Sequence, residues 1–422
     1  MAMVQHFGRP TLFITFAANS RWKEITDELL QGQTAVDRPD LIARVFYLKQ
    51  QQLLQEIKKK NIFGRYLGCI WTIEYQKRGL PHRQLLLFLH PDDRFLSTDH
   101  IDQIISAEIP IATHEVTSTL KNIITTTMIH GPYGVYAPNA PCMSAKYPGG
   151  PKVCSKGYPK EFQSKTILQT DGYPLYRRAN DGNTHTVPVR GNILHESFDC
   201  DNRWIVPYKP YLSWRYYVHI NVEVCALIQA IKYIHKYIYK GSYRTTLQLD
   251  TNTDEIQKYV QGRYIGPTEA VWCLFKYSTH KESPTVIHLA IHLRGEQPVY
   301  FAEGVDVVTL RIQMETARTT LIGFFKYNAE NEDGLEYLYQ EFPTDYTHDA
   351  KDKTWHIRKQ QPAIGRIYHC NSSMGEKYYL RLLLTTVRGP QSFEYLRTLH
   401  EIQYPTFKSA CIPLGLLADD NE

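Results

Sequence analysis

The chain has 422 residues, 43% of them hydrophobic, and a net charge of +5, which indicates a folded chain with room for two or three domains and no strong overall basicity. No apolar run approaches the roughly 20 residues of a membrane helix, and MAMVQHFGRP has no apolar core of a secretion signal, so membrane insertion and secretion are not expected. The eight cysteines, at 69, 142, 154, 200, 225, 273, 370 and 411, have no framework spacing and fit a reducing compartment.

LFITF at 12–16 reads as a buried strand and ANSRW as the turn after it. Residues 37–60 open on Asp and Pro and carry Leu41, Ile42, Val45, Phe46, Leu53, Leu54 and Ile57 at helical spacing. Strands are expected at 66–74 and 83–89, a short helix or strand at 100–109, and a helix at 114–129. From 130 to 190 the chain is rich in Gly, Pro, Lys and Tyr and reads as an irregular insertion. HINVE then leads into a helix. A helical pair is expected at 254–275, strands at TVIHLAIHL and PVYF, and helical and loop segments beyond. A hairpin among strands separated by helices favours an α+β domain with a central antiparallel sheet flanked by helices.

Two segments carry chemistry. In WTIEYQKRGLPHRQLLLFLH (71–90), two β-rich runs flank a basic Gly/Pro turn. Residues two apart on a strand share a face, so His82 and Gln84 project together, and pairing of the runs brings Glu74 to them. A carboxylate, an imidazole and an amide oxygen suit a hard or borderline divalent ion that keeps positions open for substrate oxygens. The competing reading of these twenty residues is a plain hairpin with an edge histidine and a solvated glutamate. In HINVEVCALIQAIKYIHKYIYKGSYR (219–244), Val224, Leu227, Ile228, Ile231, Ile234 and Ile238 mark an amphipathic helix that Gly241 is placed to end. Tyr233 and Tyr237, four apart, share a face among Lys232, Lys236 and Lys240. A phenol ringed by ammonium groups suits attack on a phosphate, because nearby cations favour its ionised form.

Charge is unevenly spread. Arg203, Lys209, Arg215, Lys232, Lys236, Lys240 and Arg244 face the single acid Glu223, and five lysines lie between 146 and 165; both stretches read as phosphate-facing. Aromatics near them, Tyr208, Tyr211, Trp214, Tyr216 and Tyr217, are candidates for stacking on unpaired bases. Cys142, Cys154 and Cys200, with His130 and His185 nearby, form a candidate zinc-binding set, against the alternative of buried free thiols.

These motifs resemble the Rep-like endonuclease domain of Helitron transposases, the rolling-circle group of the HUH nucleases. GRPTLFITFAANSRWKEI is similar to the family's first motif, EYQKRGLPHRQ to its metal motif and IKYIHKYIYKG to its two-tyrosine motif. HGPYGVYAPNAPCM, CSKGYPKEF, DGYPLYRR, WIVPYKPYL, AIGRIY, YYLRLLL and YPTFKSACIPLGLL fit in order along nearly the whole chain. The resemblance implies an RRM-like palm, with residues 1–248 as the nuclease, 130–200 as an irregular basic insertion, and 249–422 as an accessory region preceding a helicase. It implies a metal site of Glu74, His82 and Gln84 holding Mg²⁺ or Mn²⁺, and Tyr233 and Tyr237 as nucleophiles that form a 5′-phosphotyrosine. Lys232, Lys236, Lys240 and Arg215 would hold single-stranded DNA. A nuclear location and a helicase acting in trans are further expectations.

Some positions depart from the family. Gln84 replaces a usual His, Ala17 and Ala18 replace Thr and Cys, Ser20 replaces Pro, and Tyr133 replaces a common Cys. Gln84 can still offer an oxygen ligand, and the departure leaves metal affinity and preference open. The chain lacks the G-x-x-x-x-G-K-[ST] phosphate loop, and it reads as the nuclease part of a larger ancestral protein. A rival function is a single-stranded DNA-binding remnant that has lost cleavage. An RNA-binding module is disfavoured, because its aromatic signature is missing and the paired tyrosines would go unexplained.

Overall fold

The fold is described from a computed structural model, which covers residues 2–75, 79–95, 97–131, 137, 139–145, 150–169, 174–188, 197–225, 265–298, 306, 308, 318–349, 351–359 and 361–417. The chain divides into two compact units, Arg9–Lys281 and a second formed by Met1–Gly8 with Glu282–Glu422. The boundary expected at 248 falls outside the described residues.

The first unit is built on an antiparallel core of strands. β1 (Leu12–Ala17) lies between β3 (Pro81–Leu89) and β8 (Ile220–Val224), and β2 (Tyr66–Tyr75) pairs with the other side of β3. With β9 (His280–Ser283), the sheet order is β8-β1-β3-β2-β9. Alternation divides the side chains by face. Leu12, Ile14 and Phe16 of β1, Cys69, Trp71 and Ile73 of β2, and Leu85, Leu87 and Leu89 of β3 share one core with Phe46, Leu53 and Ile57 of the long helix Pro39–Lys60. Each such side chain contributes about 1.5–3 kcal/mol on burial.

That helix begins with Pro39 in its first turn, where the missing N–H costs nothing. It ends with Asn61 in the left-handed region at φ 50° after Lys58, Lys59 and Lys60, whose charges complement the negative end of the helix dipole. A later helix, Pro267–Leu274, returns to the same core: Trp272 is fully buried, with ring centroids 5.9 Å from Phe46 and 5.1 Å from Tyr277.

The segment at 100–109, open between a short helix and a strand, is found as the helix Thr98–Ile104, and the helix expected at 114–129 as Glu115–Thr127. The insertion contains two small ladders rather than loop alone. β4 (Met143–Ala145) pairs with β5 (Lys152–Cys154), and β6 (His185–Pro188) pairs with β7 (Ser197–Cys200).

The second unit buries Phe324, Tyr339, Phe342, Trp355, Leu380 and Leu383 in a core of its own. The sequence expects mainly helix and loop here after the TVIHLAIHL strand. The TVIHLAIHL strand is found as β10 (Thr285–Leu289) and runs parallel to β13 (Ala363–Ile367), while β11 (Tyr346–His348) pairs with β12 (Trp355–Ile357) where helix and loop are expected; the strand expected at PVYF lies mostly outside the described residues. The strands at 346–348 and 355–357 are too short for alternation to reveal. In β13, Gly365 packs so closely against the Gln340 backbone that no side chain fits, so the glycine does not break the strand.

Candidate metal centre

The hairpin expectation holds in register. Glu74 on β2 is directly opposite His82 on β3, and His82 is opposite Ala17 on β1. Glu74 Oε2 lies 3.3 Å from His82 Nε2. Their side chains retain 25% and 13% of their exposure, so the pair is sheltered yet reachable from solvent. Gln84 is on the same face, two residues along β3. Its Oε1 accepts a 2.7 Å hydrogen bond from Thr15 Oγ1 and keeps a second lone pair.

The intervening Arg83 points the other way. It is buried in the core face, with its guanidinium 4.0 Å from the Trp71 ring centroid and one N–H donating to the Gln50 carbonyl at 3.3 Å. Burial pushes its pKa down to about 9. Even so, an arginine remains charged at neutral pH, and the Trp71 π-face is the compensating group.

The register extends the polar site beyond the residues the sequence singles out. Asn221 on β8 faces Thr15, and Thr15 faces Gln84, which in turn faces Thr72. Four polar residues therefore cross four strands in one row. Asn221 Nδ2 donates to Glu223 Oε1 at 3.0 Å, while its buried Oδ1 has no hydrogen-bond partner among the described residues. The signal was the alternation in INVEV, where 221 and 223 are polar between buried 220, 222 and 224.

The Glu74–His82 spacing is that of two ligands on a small divalent ion. Two ligands about 2.1 Å from an octahedral centre and at right angles to each other lie about 3 Å apart, close to the 3.3 Å found between the carboxylate and imidazole. His82 Nδ1 is buried with no partner among the described residues. This leaves the ring without the outer hydrogen bond that usually fixes a ligating histidine. Replacing Gln84 with His should shift metal preference from Mg²⁺ towards Co²⁺ or Ni²⁺, because imidazole is the softer donor. Competitive metal titration checks this. Unchanged selectivity would mean that position 84 is not a ligand.

The nucleophile candidates Tyr233 and Tyr237, and the lysines Lys232, Lys236 and Lys240, lie outside the described residues. Of the stacking candidates, Tyr208 and Tyr216 are corrected: both are buried, because their rings complete the core. Tyr211, Trp214 and Tyr217 remain exposed. Tyr208 donates to the Glu108 carbonyl at 2.8 Å, and the Tyr216 ring packs edge-on 5.5 Å from Phe16.

The basic stretch is partly committed within the protein. Arg203 pairs with Asp201 at 2.7 Å, and Arg215 Nε lies 3.8 Å from Glu56 Oε1, leaving the Arg215 side chain half exposed. Lys209 lies over the Phe63 ring, and burial lowers its pKa.

The cysteine expectation is revised. Cys142 and Cys154 come together with His130, whereas Cys200 ends β7, fully buried, and is not in that group. Burial and the neighbouring Asp201 and Asp199 push the Cys200 thiol up to about 12, so it stays protonated.

Fold and site together define an α/β unit whose antiparallel sheet carries a carboxylate–imidazole pair beside an amide oxygen. Residues 1–87 match the family model described as the Helitron helicase-like domain at the N-terminus. That match relates this stretch to Helitron proteins, and it spans β1, β2 and the part of β3 that bears His82 and Gln84. No curated protein matches the chain. No helix among the described residues is long and apolar enough to cross a membrane.

Proposed function

We propose that the first unit is a Helitron-type rolling-circle nuclease with an RRM-like HUH palm, which cleaves and rejoins single-stranded DNA through a tyrosine. The observation that carries this reading is the Glu74–His82 pair, 3.3 Å apart across two strands with Gln84 on the same face. Glu74, His82 and Gln84 would hold Mg²⁺ or Mn²⁺, which when bound supplies Lewis acidity to a scissile phosphate. Gln84 is oriented for this by Thr15.

The hydroxyl of Tyr233 or Tyr237 attacks phosphorus and gives up its proton. The bond from phosphorus to the 3′ oxygen breaks, leaving a 5′-phosphotyrosine and a free 3′-hydroxyl, and attack by a 3′-hydroxyl reverses the step. Exposed Trp214, Tyr211 and Tyr217 suit stacking of unpaired bases. The Helitron match over residues 1–87 supports the same reading.

The test is incubation of purified protein with 5′-extended single-stranded oligonucleotides and Mn²⁺, followed by denaturing electrophoresis. A covalent DNA adduct that is lost in Tyr233→Phe/Tyr237→Phe is expected. Salt-sensitive DNA binding without any adduct would instead identify a binding remnant that has lost cleavage.

A further inference from the structure

Among the described residues, a second group of possible metal donors forms at the β4–β5 hairpin. His130, Cys142 and Cys154 bring Nε2 or Nδ1 and two Sγ atoms within 4.8 Å of one another, with His130 Nε2 3.4 Å from Cys154 Sγ. Ligands of a tetrahedral zinc at about 2.3 Å for sulfur and about 2.0–2.1 Å for nitrogen lie roughly 3.6 Å apart for an S–N pair and roughly 3.8 Å for two sulfurs. The His130–Cys154 pair is therefore at zinc-ligand spacing, the third donor lies within 4.8 Å of both, and the two thiols are not joined in a disulfide.

The backbone holds the donors from two directions. Cys142 immediately precedes β4 and Cys154 ends β5. Ser155 N–H donates to the Cys142 carbonyl at 2.7 Å, and Gly157 N–H to the Cys154 carbonyl at 2.8 Å. Gly157 sits at φ 67°, the left-handed conformation that this turn requires. His130 arrives separately, after the helix Glu115–Thr127, and is anchored by its N–H to the Trp204 carbonyl at 2.9 Å.

The hairpin has little else to stabilise it. Its strands are three residues each, and Ser144, Ala145, Lys152 and Val153 are all exposed. A two-stranded ladder of that size buries too little apolar surface to stand alone. A metal that ties it to the chain before it supplies the missing cross-link.

We infer that His130, Cys142 and Cys154 bind a structural zinc ion that staples the β4–β5 hairpin to the end of the Glu115–Thr127 helix. The inference does not depend on nuclease activity. The two thiolates balance the charge of the ion.

The test is metal analysis of the full chain after exhaustive dialysis, together with Co²⁺ substitution. One equivalent of zinc and a sulfur-to-cobalt charge-transfer band are expected. Both should be lost in Cys142→Ser/Cys154→Ser, diminished in His130→Ala, and kept in Cys200→Ser and in Glu74→Gln. A second measurement needs no variant: alkylation of the wild type followed by peptide mass mapping should show Cys142 and Cys154 protected until a chelator is added. Folded protein that retains no zinc and shows no cobalt band would overturn the inference. So would a band that survives the double substitution, or chelator-independent labelling of both thiols.

Discussion

Glu74→Gln should lower metal-dependent strand cleavage about a thousandfold, which corresponds to roughly 4 kcal/mol of lost transition-state stabilisation and lies within the several kcal/mol that a bound Lewis acid supplies. The substitution keeps size and shape, and the new amide can still hydrogen-bond to His82, so the hairpin register should survive. What disappears is the single negative charge of the donor set. Gln84 is neutral and His82 contributes a neutral ring nitrogen, so Glu74 alone offsets the charge of the ion. Single-stranded DNA binding should persist, since removing a carboxylate beside a phosphate path lowers repulsion. The measurement is adduct yield against time at several Mn²⁺ concentrations, with binding followed in parallel. Partial rescue at high Mn²⁺ is expected, because affinity is what the variant loses. Wild-type yield at low Mn²⁺ would show that Glu74 is an ordinary solvated carboxylate at a strand end.

Trp272→Ala should destabilise the first unit by about 3–5 kcal/mol, a large share of the roughly 5–15 kcal/mol that holds a domain folded. Trp272 is fully buried among Phe46, Tyr47 and Tyr277, and its indole N–H donates to the Ser278 carbonyl at 3.3 Å. Truncation therefore leaves both a cavity and an unpaired carbonyl. The neighbouring Leu274→Ala is the control: that side chain is 78% exposed, and its loss should change stability by less than about 0.5 kcal/mol. Urea denaturation followed by circular dichroism reads both. The same geometry predicts that a fragment ending at residue 248 is poorly folded, because it lacks the helix that inserts Trp272 into the sheet's core. Equal midpoints for the two variants would mean that the helix is peripheral.

The hairpin was legible because strand alternation is a local property. It placed His82 and Gln84 on one face, and pairing of two adjacent runs fixed Glu74 opposite them. Burial was less legible, since it depends on distant partners. Tyr208 and Tyr216 have the same local surroundings as Trp214, yet two of the three are core. Arg83 opens the strand expected at 83–89, and the alternation that puts His82 and Gln84 on the polar face turns it inward, onto Trp71. Proximity in sequence also misled. Cys200 belongs to the same Cys-containing stretch of chain, yet it ends β7 outside the group that His130 forms with Cys142 and Cys154. The short strands of the second unit lacked enough residues to show a period.

The polar row across the sheet also has a history in time. The two strands that bear Glu74 and His82 are joined by a short turn and close at little entropic cost. Asn221 comes to Thr15 from about two hundred positions away, on a strand that is synthesised long after β1, β2 and β3. The hairpin that carries Glu74 and His82 is a local contact, and the far end of the row is a non-local one of the kind that slows folding. A ribosome-bound chain shorter than β8 has β1 as an uncovered sheet edge, a site for strand pairing with another chain. Synthesis of INVEV completes the polar row and covers that edge in a single event.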